Sequence, residues 1–328
     1  MVSDDPQSQI TFEELLRDAP KNWGRWGDDD EVGALNFLTP DVIVAATRSV
    51  RQGKVFTLQV KMANPEGDPI SPGRTPAQRA MVMDESQFSA GKATPWPGGL
   101  KWADDLLFCF PQGTTQYDAL GHAWYGDQIW NGYDAKTTHG GLAKASVLPI
   151  AERGVVGRGV LLDMARHRGK DTLDHGEWFT HEDLIDCARA QGVTIEKRDI
   201  LVIRTGFIAT FYKDREFFER NPLGRGPFSE PGLAYSPELV RWFDEMEIPN
   251  FVTDTIANEV TIDPKTGCMQ ILHAALLRNM GVTMTEIAWL EDLADDCAAD
   301  GQYDFLYAAA PLKIVHGAGA PVNPMAIK

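Results

Sequence analysis

A polar segment at residues 112–122, QGTTQYDALGH, places amide, carboxylate and imidazole groups directly after an apolar run, LLFCF, at residues 106–110. If that run is a strand that continues into the polar segment, alternate side chains point to the same face. The side chains on that face would be Gln112, Thr114, Gln116 and Asp118. Because buried polar groups need partners, such a row predicts a hydrogen-bond network, a metal ion or a bound polar ligand.

The polar segment resembles the signature of the cyclase family of metal-dependent hydrolases, H-x-G-T-H-x-D-x-P-x-H. This family includes bacterial kynurenine formamidases, isatin hydrolases and trans-dienelactone hydrolases. The positions that match are Thr115, Asp118 and His122. Gln112 and Gln116 stand where the family has its first two histidines, and Leu120 replaces the signature proline. Because proline fixes the backbone before the last histidine, its replacement leaves the position of His122 open.

The resemblance extends beyond this signature. Similar segments follow in the family's order at residues 158–163, 199–206, 251–255, 271–277, 281–286 and 310–314. Each segment alone would be weak support, but together they cover most of the chain from about residue 22 onward. The resemblance implies a swivelling β/β/α fold and a homo-oligomer, either a dimer or a tetramer.

The resemblance also implies a metal site. It would bring together Asp118, His273 and Glu286, and two carboxylates with one imidazole suit a divalent ion. Gln112 and Gln116 would belong to the altered half of the family's two-metal site. An amide oxygen is a weaker and harder ligand than imidazole, so these positions either prefer Mn or Mg over Zn or bind no metal. We therefore expect one divalent metal, Mn or Zn, with Mg as a further candidate.

The implied reaction is hydrolysis of a small cyclic amide, imide or lactone, or of a formamide, by metal-activated water. His122 would relay the proton beside Asp118. The expected substrate contacts are Thr115, His139 and Trp124. The alternative is a metal-free small-molecule binder, or an acid/base cyclase or dehydratase, that uses His122 and Asp118 on the same scaffold.

Each of these residues also has a structural interpretation. His122 and His273 could be core histidines, and Glu286 could cap a helix or pair with an arginine. The two glutamines could bond to neighbouring loops, and His139 could cap a helix that begins near Leu142. Trp124 could fill a core, as aromatic residues usually do. Arg204 is expected to anchor a structural carboxylate.

The composition excludes several function classes. With 328 residues, 43% of them hydrophobic, and a formal net charge of −16, the chain is typical of a globular protein that binds neither nucleic acid nor an anionic membrane. Its four cysteines are widely spaced and predict free thiols. The first residues resemble no leader and no apolar run reaches about twenty residues, so we expect a cytoplasmic location. No phosphate loop, nucleophile elbow or dinucleotide motif is present.

The elements that position these residues follow from periodicity and caps. We predict α/β layers, with a mixed, partly parallel sheet flanked by helices. Helices are predicted after an N-cap at Thr11 and at residues 42–50, 180–191, 237–246 and 273–279. Strands are predicted at residues 54–60, 160–163, 200–204 and 251–254. Residues 282–289 are ambiguous between a helix and a strand, and a strand is preferred. Residues 65–100 are interpreted as a long loop, a candidate lid or oligomer arm. We divide the chain into an N-terminal helical arm, residues 1–52, and a single α/β domain, residues 53–328.

Overall fold

The computed structural model describes residues 10–221 and 229–328. In chain order the strands are β1 Val55–Thr57, β2 Gln78–Met83, β3 Asp104–Phe108, β4 Gln116–Asp118, β5 Val155–Asp163, β6 Trp178–Phe179, β7 Ile200–Arg204, β8 Gly232–Leu233, β9 Asn250–Thr253, β10 Thr283–Glu286, β11 Asp304–Ala309, β12 Gly319–Pro321 and β13 Met325–Ile327. Nine of them form one sheet in the order β1-β13-β11-β5-β7-β9-β10-β4-β12.

The centre of this sheet is parallel and its two sides are antiparallel. Strands β5, β7, β9 and β10 run parallel to one another. On one side β4 and β12 pair antiparallel, and on the other side β11, β13 and β1 do. Strand β7 reads ILVIR and is buried throughout, as expected for a parallel strand covered on both faces. The predicted α/β fold with a mixed, partly parallel sheet flanked by helices is confirmed.

Helices cover the sheet and connect its strands. The α-helices are α1 Phe12–Leu15, α2 Pro40–Ala46, α3 Glu85–Ser89, α4 Val147–Arg153, α5 Met164–His167, α6 His181–Gln191, α7 Phe207–Lys213, α8 Arg215–Glu219, α9 Pro237–Glu245 and α10 Glu291–Asp300. Short 3₁₀ helices lie at Gly33–Phe37, Thr47–Ser49, Pro111–Gly113, Trp130–Gly132 and Ala135–Thr138, and a π-helix spans His273–Met280. No helix in the described ranges is both long enough and apolar enough to cross a membrane.

Local signals predicted many of these elements well. Thr11 caps α1 in a capping box with Glu14, and Thr180 caps α6 in the same way with Asp183. Strand β7 has the predicted bounds, and α9 is one residue shorter than predicted. The helix expected at residues 42–50 begins earlier and divides into α2 and a 3₁₀ turn, and the strand expected at 54–60 is reduced to β1. Strands β11, β12 and β13 were not predicted.

The apolar run at residues 106–110 does not continue into the polar segment, so that prediction is wrong. Strand β3 pairs with β2 in a separate hairpin. The 3₁₀ helix Pro111–Gly113 then turns the chain before β4 begins at Gln116. Proline has no N–H to continue a strand ladder, which accounts for the break at Pro111. Gln112 and Thr114 therefore lie outside the strand that carries Gln116 and Asp118.

Residues 65–100 are not a loop without secondary structure, which corrects a second prediction. They contain β2 and α3, and Asp84 caps α3 by accepting a hydrogen bond from the backbone of Ser86. The sequence of residues 65–100, rich in proline and glycine, gave no periodic pattern that predicted β2, the antiparallel partner of β3. The role of this segment as a lid or oligomer arm stays a prediction, as does the division into an arm and a domain. Residues 1–9 of the N-terminal arm lie outside the described residues.

Candidate metal centre

Two antiparallel pairings bring polar side chains together at one side of the sheet. Glu286, the last residue of β10, lies opposite Gln116 of β4, and Gly319 of β12 lies opposite Asp118. Gln116 and Asp118 are two residues apart, so both side chains project from the same face of β4. Gly319 has no side chain, which lets the amide of Gln112 approach the strand beside Asp118.

His273 enters from the π-helix that it begins, and Glu259 fixes its orientation. The carboxylate of Glu259 accepts hydrogen bonds from the backbone N–H groups of Leu272 and His273, at 2.7 and 2.9 Å. It also lies 2.7 Å from Nδ1 of His273. When Nδ1 donates its proton to Glu259, the other ring nitrogen is free to act as a ligand.

Nε2 of His273 faces two carboxylates. It lies 3.4 Å from Oε1 of Glu286 and 3.8 Å from Oδ2 of Asp118. One ligand atom from each of the three residues lies within 4.8 Å of the other two. All three side chains are buried. The sequence prediction placed these residues in one site, and the structure brings them together.

The unsatisfied oxygens of this cluster fit a cation. Within residues 10–221 and 229–328, both carboxylate oxygens of Asp118 and Oε1 of Glu286 are buried without a hydrogen-bond partner. A buried charged oxygen without a partner is costly, and a bound cation would remove that cost. Two carboxylates and an imidazole also form a suitable donor set for a divalent ion. The residues present therefore fit a metal.

The ionisation of the cluster reflects its crowded negative charge. Burial, reinforced by the charge of Asp118, raises the pKa of Glu286 to about 7. Burial also opposes charge on Asp118, but His122 and His273 outweigh it and lower the pKa of Asp118. Burial alone would lower the pKa of His273, but the neighbouring carboxylates of Asp118, Glu259 and Glu286 raise it well above its usual range.

The two glutamines lie beside this cluster in different ways. Nε2 of Gln116 donates to Oε2 of Glu286 at 2.6 Å, and its Oε1 is buried without a partner among the described residues. Gln112 lies on the 3₁₀ turn, and a Cβ on Gly319 would come within 2.5 Å of its Nε2 and 3.4 Å of an Asp118 oxygen. Rotating the Gln112 amide by a half-turn would put its oxygen where Nε2 now lies. Metal ligation by either glutamine stays a prediction.

His122 lies on the solvent side of the cluster. It follows β4 in a turn in which its N–H bonds to the carbonyl of Ala119. Its Nε2 is 3.9 Å from Oδ2 of Asp118, and its side chain is 25% exposed. Burial lowers the pKa of His122, although Asp118 opposes that effect. A neutral imidazole near the opening of the site can accept a proton at neutral pH.

The three expected substrate contacts are less close to the cluster. Thr115 is buried; its hydroxyl donates to the carbonyl of Ile287 and accepts from the N–H of Val60, so both bonds hold the chain rather than a ligand. His139 and Trp124 are exposed, and within the described ranges neither makes a hydrogen bond or an ion pair with the cluster. Their substrate roles stay predictions. No helix begins near Leu142, because α4 starts at Val147 after its cap Ser146.

Four residues of this region were not identified from the sequence. They are Arg74, Glu230, Glu259 and Gly319. Glu230 is fully buried, and burial, together with the charges of Glu286 and Glu259, raises its pKa well above the usual range. These four residues reach the site through contacts with residues far away in the sequence, and a single sequence has no local pattern that predicts such contacts. Arg204, by contrast, pairs with Asp163 and Glu291 at 2.8 and 2.7 Å, as its structural interpretation predicted.

Comparisons with known proteins place this site in context. The model of the Cyclase family matches residues 35–260. Among the curated proteins, none gives a significant match. A crystal structure described as a novel cyclase is 35% identical with a TM-score of 0.81, and the match covers 94% of this chain and 100% of that one.

Two similar structures are isatin hydrolases. Isatin hydrolase A from Labrenzia aggregata, bound to benzyl benzoate, is 20% identical with a TM-score of 0.56, over 90% of this chain and 100% of that chain. Isatin hydrolase A from Ralstonia solanacearum is 19% identical with a TM-score of 0.58, over 88% and 97% of the two chains. At these identities the likeness shows the fold alone.

Proposed function

Because this chain belongs to the Cyclase family, we propose that it is a metal-dependent hydrolase that opens a small cyclic amide, imide or lactone, or cleaves a formamide. The observation that carries this proposal is the set of buried, unpartnered oxygens on Asp118 and Glu286 around Nε2 of His273. The shared fold of the two isatin hydrolases supports the hydrolase class.

The proposed cofactor is one divalent ion held by Asp118, His273 and Glu286. When bound, such an ion lowers the pKa of water and polarises a carbonyl group. The amide oxygens of Gln112 and Gln116 are the proposed further donors. Because most of these donors are oxygens, Mn is favoured over Zn, and Mg is also compatible.

The remaining residues perform the proton and positioning steps. Glu259 holds His273 in the tautomer that presents Nε2, and Gln116 holds one oxygen of Glu286. His122 takes a proton from the attacking water at Nε2 and delivers it to the leaving nitrogen or oxygen. Its partly exposed position also gives the proton a path to solvent.

Elemental analysis by ICP-MS tests the metal. The parent protein, purified without added metal or chelator and then incubated with Mn, Zn or Mg, should carry about one equivalent. The His273→Ala/Glu286→Ala double variant should carry none. The matched control is His181→Gln, which alters a histidine that pairs with Glu182 outside the cluster. A parent that binds no metal under any of these conditions would reject the hydrolase mechanism and favour a metal-free binder or acid/base catalyst.

A His122→Gln variant tests the proton relay. In a panel of lactones, cyclic imides and formamides, we expect kcat to fall roughly 10²–10⁴-fold, because general acid–base catalysis contributes about that much. Metal content should be unchanged, since Nε2 of His122 is not in the ligand cluster. Full activity in this variant would exclude His122 as the relay.

A further inference from the structure

A cavity of about 320 Å³ is lined in part by Arg74, which also bonds to Gln112 beside the candidate metal centre. Phe207, Phe211 and Phe218 give its lining an aromatic part, and Arg74 adds a cationic group to the same lining. Cavities of roughly 300 Å³ and above are large enough for small ligands. An aromatic lining with a cationic group suits a ligand with an apolar body and an acidic end.

Arg74 connects this cavity to the metal centre. Its Nη1 donates to the backbone carbonyl of Gln112 at 2.6 Å. Its positive charge also acts on Asp118, His122 and Glu286. Arg74 is therefore the residue that contacts both this cavity and the segment that carries the metal centre.

Most of the hydrogen-bonding capacity of Arg74 is unused. A guanidinium has five N–H donors, and the side chain of Arg74 makes one hydrogen bond and no ion pair within the part of the chain that the structure describes. Asp68, the acidic residue nearby in the same lining, accepts from the backbone N–H groups of Asn64 and Ala77 instead.

Of the two other arginines in the lining, Arg215 is already engaged. Arg215 donates to the carbonyls of Phe211 and Glu66, at 2.9 and 2.8 Å, and lies 3.6 Å from a carboxylate oxygen of Glu219. Its guanidinium also stacks on the ring of Phe211, 3.4 Å from the ring centre. Arg220 also lines the cavity, but it is exposed and lies 5.2 Å from the centre of the Phe217 ring. Arg74 is half-buried and bonds to Gln112, so among the described residues it is the lining arginine that links the cavity to the segment carrying the metal centre.

We infer that this cavity binds the substrate, and that the substrate carries a carboxylate, which pairs with Arg74 while its ring lies against the phenylalanines. The inference rests on the proposed function, because it places the susceptible bond at the metal centre. Arginine recognises carboxylates through paired hydrogen bonds. A chain with a net charge of −16 repels anions in general, so recognition of one requires a local cation of this kind.

A purely structural role for Arg74 makes a different prediction. If Arg74 only holds Gln112 and balances the negative cluster, its removal should change metal binding and stability but not ligand charge preference. If it binds a carboxylate, its removal should change the preference for anionic over neutral ligands.

Calorimetric titration separates these roles. The probes are benzoate and phenylacetate, each beside its neutral amide, benzamide or phenylacetamide. They are titrated into parent, Arg74→Gln and Arg79→Gln proteins, each metal-loaded and again after treatment with EDTA, because a carboxylate can also bind a metal directly. Arg79→Gln is the matched control: it removes the same charge from an exposed side chain 3.6 Å from Asp105, outside the cavity.

We expect the parent and Arg79→Gln to bind at least one acid about tenfold or more tightly than its amide, with and without metal, and Arg74→Gln to lose that preference. Equal binding of acids and amides by the parent, no binding of any probe at millimolar concentration, or an undiminished preference in Arg74→Gln would overturn the inference. ICP-MS on the same samples keeps the two proposals apart. Normal metal uptake without Arg74-dependent preference rejects this inference alone, and Arg74-dependent preference without metal uptake rejects the hydrolase.

Discussion

At the scale of single residues, the centre depends on a side chain that is not one of the three candidate ligands. Asp118 and Glu286 are held by their strands, but the ring of His273 is oriented by Glu259 through a 2.7 Å contact to Nδ1. The same carboxylate accepts two backbone N–H groups at the start of the π-helix. Glu259 therefore sets both the ring and the helix end from which the ring projects.

We predict that Glu259→Gln weakens metal binding about 10–100-fold, the usual effect of losing a partner of a metal-bound histidine. The dissociation constant is measured by competition with a chromogenic chelator. Glu238→Gln serves as the control, because Glu238 pairs with Arg241 on the exposed side of α9. An unchanged constant in Glu259→Gln would show that the Glu259 carboxylate does not contribute to metal binding through His273.

At the scale of elements, the centre exists because β4 is paired on both sides. Strand β10 supplies Glu286 opposite Gln116, and β12 supplies Gly319 opposite Asp118. A Cβ at Gly319 would lie 2.5 Å from Nε2 of Gln112 and 2.8 Å from the backbone oxygen of Tyr117. The backbone contact cannot be relieved by a side-chain rotation.

Gly319→Ala should therefore lower both stability and metal affinity. We expect a loss of roughly 1–3 kcal/mol in the free energy of unfolding, as for overpacked sites, and a weaker metal dissociation constant. Urea denaturation and chelator competition measure the two effects. Gly113→Ala is the comparison, since its nearest contact would be an ordinary 3.4 Å to Phe110. Equal stability and equal metal affinity in the two variants would mean that β4 and β12 accommodate the added Cβ at no cost in free energy.

Asp254 joins the end of β9 to the start of α7. Asp254 accepts hydrogen bonds from the backbone N–H groups of Thr205 and Gly206, and burial raises its pKa to about 6, against the opposing charge of Arg204. The folded protein thus holds this proton more tightly than the unfolded chain, in which an aspartate has a pKa of about 3.9.

Because the pKa of Asp254 is higher in the folded protein, the free energy of unfolding should fall as the pH rises. The contribution of Asp254 to stability is complete below about pH 3.9 and is lost as the pH rises through about 6, a change of roughly 3 kcal/mol. Urea unfolding across this range should show the stability of the parent falling relative to Asp254→Asn, which cannot titrate. Asp186→Asn, at an exposed site, should follow the parent. Parallel pH profiles for parent and Asp254→Asn would refute the prediction.

At the scale of the whole molecule, the hairpin of β2 and β3 is an exposed apolar surface. Val82, Leu106 and Phe108 are 60, 56 and 62% exposed. A two-stranded hairpin is marginal by itself, and an exposed apolar patch of this kind is typical of an interface. The hairpin forms its own sheet, separate from the nine-stranded one. We therefore propose that it joins copies of this chain into a dimer or tetramer.

The mass in solution tests this arrangement. Light scattering after gel filtration should give a multiple of the 36.3 kDa chain for the parent and a smaller assembly for Leu106→Ser/Phe108→Ser. Val44→Ser/Leu312→Ser, which alters residues 64 and 59% exposed outside the hairpin, should keep the parent mass. A monomeric parent, or an unchanged mass in the hairpin variant, would exclude the hairpin as the interface.

The sequence by itself determined the elements whose signals are local. Caps at Thr11 and Thr180 act within one helical turn, and the apolar pattern of β7 reports burial on both faces, so these elements appear where they were predicted. The resemblance also gathered Asp118, His273 and Glu286 into one site by type and order.

Only the tertiary structure decided how these groups meet. Gln116 bonds Glu286 across 170 residues, and Glu259, Arg74 and Gly319 take their roles from strand register and packing rather than from their neighbours in the chain. The apolar run at residues 106–110 is an example. Its pattern predicts a strand but not the partner of that strand, and β3 pairs with β2 instead of entering the site. Register and partner choice depend on surfaces far apart in sequence, and a period of two residues cannot specify them.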